Sequence, residues 1–573
     1  MRIALHNAFF GQQVAETELA RRMATAAGRL GWEAREVATS TEILAWRPDF
    51  VLALHFFTPK LTPFPTYGCL WNPPAFLERD PAYVRSVLSY DGYLTSSERV
   101  EEWTRDLLHG LGKQTFFAPL YTSCPARPWR APNLDAPRLV YIGTNWDGPR
   151  YEELFRSLEE QPFVDVYGPA GRWAYAAAAY RGPLPFDGET VLDVLNRSGI
   201  GLCLHRPEHR EAGIPSPRIF EIVASGAVAI CQDHPFIRET FGDAVLYLDD
   251  GCDPAAMAAQ IEARVRWIAA NRDQALAMSQ RAHALFQRDL SLETLLAEIE
   301  RRHQALIEAK GQSRSGRPRS QGHVQVVVRA GERRVALLTR ALTSIAEQTY
   351  PDVSVLVVRH GEVDLEPALA VVRDRVDVEV VDVPKGSRRS TALWAGLAAA
   401  KSDFVANLDD DDAWFPNHLA TLVPLVGTGR RTALAYAGAV CVLERDTLEA
   451  PTPPREPATL AYYQPFERDR LLALDNYITS NAWVARRDLV REAGDDPRLD
   501  FLEDLVLLLR FAAVTDFAFS GDVTAEFFHR TSRRDNATYT AGPAAWQRAS
   551  DRIRRMLWKH PLAPPRAPLA GTA

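Results

Sequence analysis

Phe404-Val-Ala-Asn-Leu-Asp409-Asp410-Asp411-Asp412-Ala-Trp-Phe-Pro416 is an apolar strand that runs into four consecutive carboxylates. Four like charges in a row repel one another and must be hydrated or neutralised, and a divalent cation held by oxygen ligands makes such a cluster favourable. An Asp-x-Asp pair on a strand-to-turn corner can chelate Mg²⁺ or Mn²⁺ and leave coordination positions open for a diphosphate, which points to nucleotide-sugar chemistry. The other reading of the same residues is a solvated acidic turn that caps a helix beginning near Pro416.

Working outward, the segment that contains this corner opens with a strand at Val324-Val328, a helix through Leu337-Glu347 and a strand at Val353-Val358, an α/β beginning. It is preceded by Gly311-Gln-Ser-Arg-Ser-Gly-Arg-Pro-Arg-Ser-Gln-Gly322, which has linker composition. From residue 1 to about 305, short apolar runs alternate with helical patterns: Arg2-His6, Glu16-Leu30, Phe50-Leu54, Leu139-Ile142, Val164-Tyr167 and Ile200-Leu204. That rhythm is βαβ and implies parallel sheets. The Pro-rich stretch Cys124-Pro137 interrupts it just before a fresh strand ending at Gly143, which divides this region into two Rossmann-like halves. The expected division is therefore 1–130, 131–308, a linker at 309–322, a further domain at 323–545, and a basic helix with a disordered tail at 546–573.

At 573 residues the chain exceeds one hydrophobic core, and 46% hydrophobic with 24% charged residues is ordinary for a folded globular protein. A formal net charge of -7 gives no general attraction to nucleic acid, and none is expected as a partner. Six cysteines lie scattered without metal-ligand spacing, which fits buried thiols in a reducing compartment. No window approaches about 18 continuous apolar residues, so the expected location is cytoplasmic. Any membrane contact would be peripheral, at the inner face, through Trp546-Lys559 with its four arginines, one lysine and two tryptophans. That helix can equally pack its Trp, Ile and Leu face on the preceding domain.

Several motifs downstream of residue 323 occur together: Arg340-Ala-Leu-Thr-Ser-Ile-Ala-Glu-Gln-Thr-Tyr-Pro351, Ala395-Gly-Leu leading into Asp409-Asp412, Asn476-Tyr-Ile, Phe501-Leu-Glu503-Asp504 and Phe527-Phe-His529. In order and spacing this segment resembles a family 2 glycosyltransferase with the GT-A fold. The resemblance implies that Asp409 and Asp411 position Mg²⁺ or Mn²⁺, that His529 reaches the metal or diphosphate, and that Asp504, beside Glu503, is the general base. Glu503 and Asp504 are also the carboxylates a helix dipole favours in a first turn. The chain departs from that family in three loops, with Arg329-Ala-Gly-Glu-Arg333, Arg359-His-Gly-Glu362 and Ala392-Leu-Trp394 where nucleoside-binding residues are usual.

In the first region, Gly199-Ile-Gly-Leu-Cys-Leu-His205-Arg206 is followed by Gly213-Ile-Pro-Ser216-Pro217-Arg218-Ile-Phe-Glu221. Ser216 as N-cap and Pro217 at the first helical position mark a helix whose unpaired N–H groups suit a diphosphate. Arg218 adds positive charge, and Glu221, one turn further in, can accept the two hydroxyls of a ribose. This segment resembles the nucleotide-sugar half of GT-B glycosyltransferases of the spore-maturation type, with Gly143 and Thr144 as the glycine turn of that half. His205, Arg206 and Arg210 would stabilise the leaving diphosphate, and His55 would contact acceptor. The expectation is a GT-B unit of two Rossmann-like halves followed by a GT-A domain, adding sugars from nucleotide-sugar donors to a glycan or lipid-linked acceptor. One active module beside an acceptor-binding one, or a glycan-binding scaffold, are the competing readings.

Overall fold

The computed structural model describes residues 1–145, 148–249, 251, 253–310, 320–331, 335–427, 432–444, 455–493, 501–530 and 543–559. Most of the linker at 309–322 and the tail expected after residue 559 lie outside them, as do Glu332 and Arg333.

The first sheet takes β1 (Arg2–His6), β2 (Glu33–Val37), β3 (Phe50–Ala53), β4 (Thr66–Leu70), β5 (Gly92–Thr95) and β6 (Phe117–Pro119), in the order β2-β1-β3-β4-β5-β6. The second takes β7 (Arg138–Ile142), β8 (Val164–Tyr167), β9 (Tyr180–Gly182), β10 (Gly199–Cys203), β11 (Val228–Gln232) and β12 (Leu246–Leu248), in the order β12-β11-β10-β7-β8-β9. The pairings in both are parallel. Parallel sheets are covered on both faces, which is why β3 and β10 are continuously buried rather than alternating.

The helix Leu292–Ala309 follows the second sheet in sequence yet packs on the first. Its Leu292, Leu295, Leu296, Ile299 and Leu306 share a core with Ile3, Leu5, Leu19 and Phe50. The 3.6-residue spacing of these leucines shows an amphipathic helix but not which core receives it.

The third sheet contains β13 (Val324–Ala330), β14 (Val353–His360), β15 (Asp377–Val383), β16 (Phe404–Asp409), β17 (Ala413–Trp414), β18 (Leu434–Glu444), β19 (Thr459–Tyr462), β20 (Trp483–Arg486) and β21 (Phe517–Arg530). The order is β15-β14-β13-β16-β20-β18-β21-β17, with β19 on the edge of β18. The first four strands in sequence run parallel, and β20 turns antiparallel against β16. Val324, Val326 and Val328 enter one core and Val327 the other, as the period of two in a strand requires. The helix Arg389–Ala399 lies close on this sheet at Gly396, where an added Cβ would come within 2.4 Å of Val327 Cγ1 and 2.6 Å of Val358 Cγ2. Gly396→Val should therefore overpack the interface and cost about 1–3 kcal/mol, read as a lowered urea midpoint of the full chain.

The first and third sheets are joined through buried charge. Lys310 Nζ donates to Asp91 Oδ1 at 3.0 Å and to Asp522 Oδ1 at 3.1 Å, and Lys60 Nζ reaches Asp91 at 2.8 Å. Tyr463 Oη lies 2.6 Å from the carbonyl oxygens of Leu88 and Gly521, which share its one proton, and Ala458 N donates to Ser40 Oγ at 2.8 Å. Burial opposes ionisation of Asp91, but Lys60 and Lys310 hold its carboxyl well below the usual range.

Candidate functional site

A cavity of about 550 Å³ opens at the carboxyl ends of β13 and β16, and its walls include all four aspartates from Asp409 to Asp412. The parallel register sets Arg329, near the end of β13, directly opposite Asp409 at the end of β16. Arg329 Nε donates to Asp409 Oδ1 at 3.0 Å, and its Nη1 donates to Glu503 Oε1 at 2.7 Å. Glu503 opens the helix Glu503–Val514, preceded by Leu502 at φ 60, a left-handed conformation unusual for a branched side chain. That turn delivers Glu503 and Asp504 to the cavity together.

The other oxygens are also engaged. Ser480 Oγ donates to Asp409 Oδ2 at 3.0 Å, Gly331 N to Asp410 Oδ2 at 2.9 Å, and Phe528 N to Asp412 Oδ1 at 3.1 Å. Arg530 Nη2 donates to Asp411 Oδ2 at 2.7 Å, and Arg389 Nε to Glu503 Oε1 at 3.0 Å. These contacts split the acids into two groups. Burial opposes ionisation of Asp409, yet Arg329, then Arg389, with hydrogen bonds from Arg329 and Ser480, hold its carboxyl at about 2. Glu503 is likewise held low against burial by Arg329 and Arg389. Asp504 goes the other way, pushed up to about 6 by burial and then by the neighbouring Glu503. Asp412 is pushed well up by burial and by Asp411 and Asp409.

Carboxylate oxygens are the right donors for Mg²⁺ or Mn²⁺, so the donor chemistry fits the expected ion. The arrangement differs from an open ligand cage. Among the described residues no three His, Cys, Asp or Glu side chains converge as metal ligands, and guanidinium groups already hold Asp409, Asp411 and Glu503. His529 lies two residues beyond Phe527, a wall residue, and the two rings meet edge-on at 4.4 Å. Burial lowers its pKa, Arg530 adds to that, and nearby Asp411 opposes it.

The structure thus brings Asp409, Asp411, Glu503 and Asp504 to one cavity. Arg389 and Ser480, which touch these carboxylates, were not singled out in the sequence, and Arg329 stood out only as a departure from the family loop. The basic helix, Pro543–Lys559, buries Ile553 in the core beneath the cavity and sets Trp546 against Phe501 at 5.8 Å, both rings lining the cavity.

In the second sheet the helix Pro217–Ser225 begins as expected, with Ser216 Oγ accepting from Arg218 N at 3.4 Å. Glu221 is 2% exposed. Its Oε1 accepts from Arg22 Nη2 at 2.9 Å, and its Oε2 accepts from Arg218. Arg22 comes from the helix Ala15–Arg29 of the first unit and also holds Glu18 Oε1 at 2.9 Å. Burial opposes ionisation of Glu221, but Arg218 and Arg22 keep it below its ordinary value. Both oxygens of this carboxylate are therefore occupied, one by Arg22 across the boundary between the two halves and one by Arg218 of its own helix.

Strands β7 and β10 are neighbours, so Gly143 and Thr144 after one come beside His205 and Arg206 after the other, at the point where the strand order reverses. The Gly143 carbonyl accepts from Trp173 Nε1 at 3.2 Å, and an added Cβ on Gly143 would meet that indole at 2.9 Å. The His205 ring stacks on His234 at 4.4 Å, and neither of its nitrogens has a hydrogen-bond partner among the described residues. Burial drives its pKa well down. Arg206 lies over the Phe76 ring at 5.6 Å. His55 is buried among Phe9, Phe56 and Phe57 and its pKa falls to about 4.

Two wholly parallel Rossmann-like units are followed by a mixed sheet with an acidic cavity, the layout of a GT-B unit first and a GT-A unit second. Residues 326–494 match the family described as glycosyl transferase family 2, and residues 150–301 match the family described as glycosyl transferase-like. An uncharacterized glycosyltransferase of Nostoc sp., alr2836, is 29% identical over 93 residues, 16% of this chain and 29% of the relative. The succinoglycan biosynthesis protein ExoW of Rhizobium meliloti is 36% identical over 100 residues, 16% of this chain and 31% of the relative. The matched stretches are thus about a third of the length of these curated relatives. Sucrose-phosphate synthase from Thermosynechococcus elongatus aligns with 54% of this chain and 100% of its own, at a TM-score of 0.38 and 11% identity. Among the described residues no helix is long and apolar enough to cross a membrane.

Proposed function

We propose that the chain is a bifunctional glycosyltransferase that moves sugars from nucleotide-sugar donors onto a growing cell-surface glycan or glycoconjugate. The observation that carries this reading is the pairing, in one cavity, of the acidic corner Asp409–Asp412 with Asp504, whose carboxyl is pushed up to about 6. Sugar transfer with inversion needs a base at the acceptor hydroxyl and positive charge at the departing diphosphate. Asp504 takes the acceptor proton, and Glu503, fixed by Arg329 and Arg389, sits behind it as a positioning residue. Arg389 places positive charge at the cavity wall. Asp409 and Asp411, with His529 nearby, would hold Mg²⁺ or Mn²⁺, which supplies charge neutralisation for the diphosphate when bound.

In the GT-B unit, 1–130 is the acceptor half and 131–308 the donor half. Ser216, Arg218, Glu221, Gly143, Thr144, His205 and Arg206 form its donor side. The GT-A domain is 323–545. Arg548, Arg554 and Arg555 are exposed on the final helix and suit a peripheral contact with an anionic membrane face that presents a lipid-linked acceptor. The ExoW resemblance supports a polysaccharide as the product. A single catalytic module, with the GT-B unit binding acceptor, is the second reading. It is favoured by Glu221, both of whose oxygens are held by arginines rather than open to a ribose.

The test is a thermal-shift panel of UDP-, GDP-, CMP- and dTDP-sugars on the full chain, with and without Mn²⁺. At a donor concentration of about 100 Kd, binding adds about 2.7 kcal/mol and raises the melting temperature by several degrees. Asp411→Asn and Arg218→Gln should each remove the shift caused by a different donor. If both remove the same shift, one module binds donor and the second reading holds; if no donor shifts the chain, the donor reading fails.

A further inference from the structure

Arg329 sits where the strand register forces it against the first aspartate of the acidic corner, and it does more there than fill a loop. Its Nε and Nη2 both address Asp409 Oδ1, while Nη1 addresses Glu503 Oε1, so one guanidinium bridges two acids from different elements. The side chain is 10% exposed, and Ser480 takes the remaining Asp409 oxygen. A guanidinium is a permanent charge with a rigid fork of donors, well matched to a pair of carboxylates.

The cavity nevertheless still favours further positive charge. Among the described residues six carboxyl groups line it, at Asp409 to Asp412, Glu503 and Asp504, against two lining arginines, Arg329 and Arg389, with Arg530 on Asp411 from outside the wall. Its wall also carries Thr479 Oγ1 and Asn476 Oδ1, which have no hydrogen-bond partner among the described residues, and Thr479 is 9% exposed. We infer that Arg329 is an internal counter-ion that a divalent cation must displace to reach Asp409, so that cation and guanidinium compete for one carboxylate. This rests on the reading of the cavity as a donor-diphosphate site. When Asp409 is taken by a cation, Glu503 retains Arg329 by Nη1, and the Nε and Nη2 edge is released toward the space a diphosphate fills. Cation entry and the presentation of a guanidinium to phosphate thereby become one exchange, and the cavity without a donor holds a cation weakly.

The test is calorimetric titration of the full chain with MnCl₂ in the absence of nucleotide. Arg329→Gln removes the competing charge and should bind Mn²⁺ about tenfold tighter than the unsubstituted protein or better, a tenfold change being about 1.4 kcal/mol. Arg329→Lys keeps one charge but loses the fork. It should bind Mn²⁺ more tightly than the unsubstituted protein and less tightly than Arg329→Gln, and it carries the test if Arg329→Gln fails to fold by circular dichroism. Equal or weaker Mn²⁺ binding in the folded variants overturns the inference and leaves the donor reading standing. Absence of any nucleotide-sugar melting shift in the unsubstituted protein removes the donor reading whatever the Mn²⁺ affinities are.

Discussion

Asp504→Asn should lower sugar transfer by the GT-A module by about 10²- to 10⁴-fold, the range that a positioned general base contributes. Asparagine is nearly isosteric, and its amide oxygen can still accept the Leu505 N–H that Asp504 Oδ1 accepts at 2.9 Å, so the helix start is preserved. What is lost is a proton acceptor of suitable strength. Asp504 is surrounded by Glu503 from its own helix, Arg329 on β13, Asp409 on β16 and Tyr462 on β19. Burial and the Glu503 charge raise its carboxyl to about 6, while Arg329 and the Leu505 N–H oppose that rise only in part. The sign follows directly. Below about pH 6 the group is protonated and cannot take the acceptor proton; above it the carboxylate is present and transfer reaches a plateau. The acid limb of kcat/KM should therefore fall below pH 6 in the unsubstituted enzyme and vanish, at a low rate, in Asp504→Asn. The donor's melting shift should survive the substitution, since the role proposed for the side chain is on the acceptor. A variant that keeps full activity, or whose acid limb is unmoved, assigns the base elsewhere.

The sheets were readable from the sequence because buried parallel strands are near-continuous apolar runs, and Arg2–His6, Val164–Tyr167 and Val324–Ala330 announce themselves in that way. The Ser216-Pro217 helix start was readable for a local reason, a cap and a proline that act within three residues. The acidic corner and Glu503-Asp504 were readable as residue types in a family order. What neutralises them was not. Arg329 meets Asp409 only because β13 and β16 pair in one register across 80 residues of chain, and Arg22 meets Glu221 across 199. No periodicity or motif carries such distances. The return of Leu292–Ala309 to the first core had the same cause: its apolar stripe fits any complementary surface, and only the fold decides which one. Those long-range ion pairs change the chemistry of both sites, because they convert carboxylates read as open ligands into carboxylates that already have cations.

Lys310→Met should cost about 3–5 kcal/mol, the usual penalty for removing one partner from a buried ionic cluster. Lys310 lies between Asp91 and Asp522, and the three side chains are 8%, 4% and 8% exposed. Asp91 comes from the first sheet's loop before β5, Asp522 from β21, and Lys310 from the end of the helix that crosses back to the first core. The one ammonium therefore bonds the GT-B unit to the GT-A unit. Methionine matches the stem and removes the charge, leaving Asp91 with Lys60 and, among the described residues, Asp522 with the more distant field of Lys113. The loss should appear as a lower urea midpoint of the full chain. Lys310→Met combined with Asp522→Asn should recover much of it, because Asp91 keeps Lys60 and the uncompensated Asp522 carboxylate is then gone; no recovery would mean that packing of the lysine stem, not charge, made the contribution. The pH dependence separates these further. Asp91 is held far below its unfolded value of about 3.9, so its contribution is present above that pH and is lost as pH falls through and below it. Lys113 behaves in the opposite sense: burial lowers it to about 7 despite Asp522 and Asp91, so its cost is full below pH 7 and is relieved as pH rises toward its unfolded value of about 10.4. Removing the Lys310 charge takes away one of the two like charges, Lys310 and Lys60, that press Lys113 down. The gain in stability between pH 7 and pH 10 should then be smaller in Lys310→Met than in the unsubstituted chain. A variant with the lower midpoint but an unchanged pH slope would place Lys113 outside this cluster in solution.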